Sequence, residues 1–173
     1  DLKMSAQEFW REAKKKAKEQ DMDEILAYMS LMLEKANSAG VPITKKGFKK
    51  HGKSVNFFPG VQEWFPRLDN YARDREVKLE HYIISSGLRE MVAGTQIGGR
   101  FKYIFASGFA YDQNDVARWP ALAVNYTTKT QYLFRINKGI LNSYDNEQIN
   151  KFVPDEEREI PFSNIAYIGD GET

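Results

Sequence analysis

A chain of 173 residues and about 20 kDa suits one domain, or one domain with a small insert. With 42% apolar residues it has material for a packed core, which excludes disordered and fibrous classes. Lys and Arg number 25 against 24 Asp and Glu, so a net charge of +1 exerts no global pull toward nucleic acid or a membrane surface. The absence of cysteine excludes a disulfide framework and a thiolate zinc site, and two His argue against a histidine-rich metal site. No apolar run approaches the roughly 20 residues of a membrane helix. The opening DLKMSAQEFW has neither a basic nor an apolar leader region, so a soluble, cytoplasmic protein is expected.

Charge and pattern change together along the chain. Residues 1–55 hold 12 basic and 8 acidic side chains and read as helices; residues 56–173 hold 13 and 16 and read as strands alternating with helices. Ser5-Ala6-Gln7-Glu8 is a capping box, and Phe9, Trp10, Ala13 and Ala17 follow at helical spacing. A second helix is predicted from about Asp23 to Ala39, with Ile25, Met29, Met32, Leu33 and Ala36 on one stripe and Gly40 and Pro42 stopping it. Two such helices cannot bury their stripes alone; they need each other and a third surface. Lys45, Lys46, Lys49, Lys50, His51 and Lys53 then crowd together. They read first as a solvated helix face plus hinge, and alternatively as an anion-binding patch.

Phe57-Phe58-Pro59-Gly60 reads as a turn into a helix striped by Val61, Trp64, Phe65, Leu68 and Tyr71. Pro66 predicts a kink or a late start there. His81–Ile84 is a short apolar run ending in Ser85-Ser86-Gly87, a buried strand followed by a helix over 88–97. Phe101–Ala106 is a second strand, and Asp112–Asp115 is a polar turn between the arms of a hairpin. Thr128 is placed to cap a helix over Lys129–Asn137 that Lys138-Gly139 closes. Residues 141–163 read as an acidic loop with a short helix near Glu147. Ile165–Ile168 reads as a last strand ending in Gly169-Asp170-Gly171. Strands alternating with helices predict a parallel, Rossmann-like α/β sheet.

In such sheets the ligand site lies beyond the carboxyl ends of the strands. Ser85 and Ser86 sit at one such end, with Gly87 leaving the next helix start open, a combination suited to phosphate. Asp170 between two glycines suits a hard cation such as Mg²⁺. Lys129 in a first helical turn offers a point charge to the same phosphate. Taken singly, each has a plainer reading: a capping hydroxyl, a turn, a solvated lysine. Their order is more informative than any one of them.

That order resembles the haloacid dehalogenase-like superfamily of phosphatases, in particular its phosphoserine-phosphatase-like branch. Ile83-Ile84-Ser85-Ser86-Gly87 is similar to its second motif, Thr127-Thr128-Lys129-Thr130 to its third, and Ile168–Thr173 to the start of its fourth. The resemblance covers about residues 55–173, and the helical segment before it is similar to the family's inserted cap. It implies a partial helical cap over 1–55 and an α/β phosphatase core over 56–173. It further implies that Ser85 binds the transferring phosphoryl group with Ser86 and Gly87, that Lys129 neutralises it, and that Asp170 holds Mg²⁺. The activity implied is hydrolysis of a small phosphorylated metabolite through an aspartyl-phosphate.

The family's first motif, an Asp-x-Asp at the tip of an apolar strand, has no counterpart here. Asp21-Met22-Asp23 follows a charged helical stretch and reads as a helix cap. The chain also begins without Met and ends just short of a further motif-four Asp. It is therefore expected to be a fragment lacking the nucleophile and inactive alone. Phe9, Trp10, Tyr28, Phe57 and Phe58 are candidates for substrate contacts from the cap, or simply its core. Two alternatives to the enzyme stand: a scaffold of the same fold without catalysis, and an anion- or nucleic-acid-binding module using Lys45–Lys53 with Phe57 and Phe58.

Overall fold

Four helices precede the first strand. The structure, a computed structural model, describes residues 4–169. Helix α1 (Ala6–Gln20) starts where the sequence places it. The Glu8 amide donates to Ser5 Oγ at 3.2 Å, and the Ser5 amide donates back to Glu8 Oε2 at 2.8 Å. Asp23 caps α2 (Glu24–Ser38), its Oδ1 accepting from the Ile25 and Leu26 amides at 2.9 and 3.1 Å. The Asp21–Asp23 segment is thus a helix junction, as read from the sequence.

Helix α2 buries more than its predicted stripe: Ala27, Tyr28, Met29, Leu31 and Ala36 are all buried. It is packed on two sides, against α1 and against strand β3 (Ala117–Leu122), which is the third surface the two helices need. The core there gathers Ala13, Tyr28, Met29, Leu31, Phe48, Leu88, Phe109 and Ala117.

The basic stretch forms a short helix, α3 (Lys45–Gly52), capped by Thr44 Oγ1, which accepts from the Gly47 amide at 3.0 Å. Helix α4 (Val61–Arg73) runs through Pro66; the expected late start is not seen. The missing amide bond is offset by aromatic packing. Phe65 is buried with Trp64, His81 and Phe101 around its ring, at centroid distances of 5.0–5.6 Å.

Strand β1 (Tyr82–Leu88) pairs in parallel with β2 (Tyr103–Tyr111), in the register Tyr82–Tyr103 through Ser85–Ala106. Between them lies α5 (Arg89–Gly94), shorter than predicted. Strand β2 turns through Asp112–Asp115 and returns antiparallel as β3, so the predicted hairpin forms. Asp112 Oδ1 holds the turn, accepting from the Asn114 and Val116 amides at 2.9 and 3.0 Å. These bonds and Arg118 keep the Asp112 carboxyl below the usual range. The chain is therefore mixed α/β with a three-stranded mixed sheet in the order β1-β2-β3, and the expected all-parallel sheet is corrected by this hairpin.

The chain divides into two compact units, the first ending at Asn125 and the second beginning at Tyr126. The second carries α6 (Lys129–Lys138) and α7 (Asn146–Asn150). Gly139 closes α6 in the left-handed conformation, φ 71°, as expected. Thr128 precedes α6 but makes no side-chain cap hydrogen bond, contrary to the sequence reading. Side chains of α6 stitch the following loop down. Arg135 Nη1 donates to the Asn142 carbonyl at 2.6 Å, Asn137 Nδ2 to Ile160 at 2.8 Å, and Lys138 Nζ to Ile149 at 2.7 Å.

The run Ile165–Ile168 forms no strand; its Ile168 is 77% exposed. An apolar run needs a neighbouring ladder to become a strand, and the second unit offers none among the described residues. No helix among the described residues is long and apolar enough to cross a membrane.

Candidate functional site

The carboxyl end of β1 is where backbone geometry and polar side chains coincide. The β1–β2 ladder runs regularly to Ser85–Ala106 and then resumes at Leu88–Ser107. Ser86 and Gly87 are left over as a bulge, and such irregularities re-aim side chains at sheet ends. Leu88 anchors its far side, buried in the core, and Gly87 is exposed at its crest.

Within the bulge the Gly87 amide donates to Ser85 Oγ at 3.1 Å. The Ser86 carbonyl accepts from the Tyr28 hydroxyl of α2 at 3.1 Å. The Ser86 hydroxyl is buried and has no hydrogen-bond partner among the described residues. The open amides expected at a helix start are not the feature here. Gly87 belongs to the bulge, and α5 begins two residues later with six residues in all.

Just beyond the bulge stand residues that the sequence reading passed over. Arg89 Nε is buried without a hydrogen-bond partner among the described residues, and Glu90 Oε2 and the Tyr111 hydroxyl are buried beside one another. The Arg89 guanidinium lies against Gly108 of β2, where a Cβ would stand only 2.5 Å from Nη2. Burial, with the Glu90 charge nearby, pushes the Tyr111 hydroxyl well above the usual phenol range. An Arg-Glu pair directly after a strand tip is the signal in the sequence. Ser107 is also wholly buried, its Oγ accepting from the Val124 amide at 3.0 Å.

The other predicted site residues lie elsewhere along the chain. Lys129 opens α6 in the second unit, half-buried, with its ammonium 5.2 Å from the centre of the Tyr126 ring. Asp170 lies outside the described residues. Of the aromatic candidates, Tyr28 is buried, and burial pushes its hydroxyl up to about 12. Trp10 is half-exposed with its edge on Tyr28, and Phe58 is 86% exposed.

Comparison with known proteins places no family name on this geometry. No family model matches the chain, and no solved structure matches it. A protein of Borreliella burgdorferi named "Uncharacterized protein" is 33% identical over 137 residues, covering 69% of this chain and 46% of that protein. The chain thus spans about half the length of that curated relative.

Proposed function

We propose that this chain is part of a Mg²⁺-dependent phosphatase of the haloacid dehalogenase-like type. In this reading the mixed sheet belongs to a Rossmann-like core, and a helical cap covers it. The substrate is a small phosphomonoester with apolar flanks, phosphoserine being the second choice. The observation that carries the reading is the Ser85–Gly87 bulge at the carboxyl end of a parallel strand. Ser85 Oγ accepts from the Gly87 amide, which leaves its own proton free to donate to a phosphoryl oxygen. The unpartnered Ser86 hydroxyl supplies a second donor nearby.

Phosphoryl transfer asks a protein chiefly for positioning and charge neutralisation. One unit charge pair at 4 Å is worth about 4 kcal/mol at an effective dielectric near 20. The Lys129 ammonium supplies one such charge. In this reading an aspartate carboxylate attacks phosphorus and the alcohol leaves with a proton from a second carboxyl group. Water then cleaves the acyl phosphate to phosphate and the free carboxylate. Among the described residues no group of three or more acidic, His or Cys side chains suits a metal ion. In this reading the Asp170 carboxylate would hold Mg²⁺, which would supply charge neutralisation at the phosphoryl group.

The test is phosphate release by the full-length protein from small phosphomonoesters, with and without Mg²⁺. Ser85→Ala and Lys129→Ala should each lower kcat/KM by about a hundredfold or more. Asp170→Asn should raise the Mg²⁺ concentration needed for half-maximal rate. Turnover unchanged in all three variants would overturn the assignment.

A further inference from the structure

The lysines of α3 and of its C-cap form a stripe, and the chain that follows lines a groove. Lys46, Lys49, Lys50 and Lys53 recur at i, i+3, i+4 and i+7, so they share one helix face, and all four are exposed. The opposite face, Phe48 and Gly52, is buried; Phe48 stacks on Phe109 at 5.8 Å. Like charges at these spacings oppose one another. Lys45 is paired with Asp115 at 2.6 Å, but the four stripe lysines form no ion pair among the described residues. The C-terminal helix dipole accounts for Lys49, Lys50 and Lys53 in part; it does not account for Lys46 in the first turn.

Two residues past Lys53 the chain enters, at Val55, a groove of about 260 Å³ whose polar and aromatic lining is Asn56, Phe57, Phe58, Gln62, Glu63 and Gln96. Its chemistry differs from that of the stripe. It has no cation, one carboxylate, three amide side chains and two phenyl rings, with Phe58 86% exposed. Gln62 Nε2 donates to Gln96 Oε1 across it. Amide and carboxylate groups recognise the edges of nucleobases, and an exposed ring offers a stacking face. Glu63 would repel a phosphate from the groove while accepting from an exocyclic amine. An anionic membrane surface fits less well, because an exposed Phe on a bilayer would carry Glu63 and the amides down with it.

We propose that the α3 lysine stripe and the adjoining Phe57–Phe58 groove bind single-stranded nucleic acid, phosphates along the lysines and an unstacked base in the groove. The net charge of +1 conceals this local arrangement, and it stands independently of the phosphatase reading.

Fluorescence anisotropy of the intact protein with a labelled 12-nucleotide mixed-sequence RNA tests it. Between 50 and 200 mM salt, four phosphate contacts give a log–log slope of about −2.8, and Lys49→Ala/Lys50→Ala should reduce its magnitude by about 1.4. Phe58→Ala should weaken binding by roughly fivefold to a hundredfold and leave the slope unchanged. A duplex of equal length should bind more weakly, since its bases cannot enter the groove. All three side chains are exposed, so the variants should fold, and circular dichroism checks this. Equal duplex binding with a silent Phe58→Ala would overturn the proposal. So would binding to phosphatidylserine vesicles without binding to RNA.

Discussion

The Tyr28 hydroxyl donates to the Ser86 carbonyl at 3.1 Å, joining residues 58 positions apart and tying α2 to the bulge at the end of β1. Trp10 sits edge-on to the same ring, at 5.3 Å between centroids, so the bulge is braced through two helices. Tyr28→Phe removes the bond and keeps the ring. Stability should fall by about 1 kcal/mol in urea unfolding, and the Ser86 amide should exchange faster with solvent. Unchanged stability and exchange would mean that the bulge holds itself.

Helices α3 and α5 cross at two glycines. A Cβ on Gly52 would overlap the Met91 carbonyl, and one on Gly94 would overlap the Lys49 backbone. Backbone cannot yield as a side-chain tip can, so Gly52→Ala and Gly94→Ala should each cost about 2 kcal/mol or more. Gly99→Ala meets nothing within 4 Å and should be near neutral. Thermal unfolding of the three variants checks the contrast.

Asp23 serves two elements. Its Oδ1 caps α2, and its Oδ2 accepts from Asn125 Nδ2 at 2.6 Å. Asp23→Ala should destabilise by about 1–2 kcal/mol, whereas Asp23→Asn keeps a cap acceptor and should cost less. Equal losses in the two variants would contradict the capping role.

Glu80 anchors the entry to β1. Lys102 contributes most, donating at 2.8 and 2.9 Å, with Lys78 next, and together they hold the carboxyl down to about 2 from its ordinary 4.5. A depressed carboxylate stabilises fully above its unfolded value and loses that contribution as pH falls through its folded one. Lys102→Met should therefore cost about 1 kcal/mol at pH 7, limited by the partial exposure of both lysines, and close to nothing at pH 2. Unfolding curves at the two pH values show whether the difference disappears.

Elements with a local cause were legible in the sequence. The Ser5–Glu8 box, the Asp23 cap, the Gly139 stop and the Asp112 turn all act over a few residues and recur in the structure. What depended on distant partners was not. Ile165–Ile168 has strand composition but no neighbouring ladder within its unit, and Pro66 sits in a helix held by Phe65 packing on His81 and Phe101. At the candidate site, Ser85–Gly87 stands at a strand end as read, but the bulge and the half-buried Arg89, Glu90 and Tyr111 beyond it arise from register with β2. No local pattern encodes a register shift.

In the proposed site one phosphoryl group is held by side chains far apart in the chain. A crystal structure of the full-length protein with Mg²⁺ and orthovanadate measures this directly. One anion should be bound with Ser85 Oγ and Lys129 Nζ both about 3 Å from its oxygens. Vanadate bound away from both residues, or Ser85 and Lys129 facing separate regions, would contradict it.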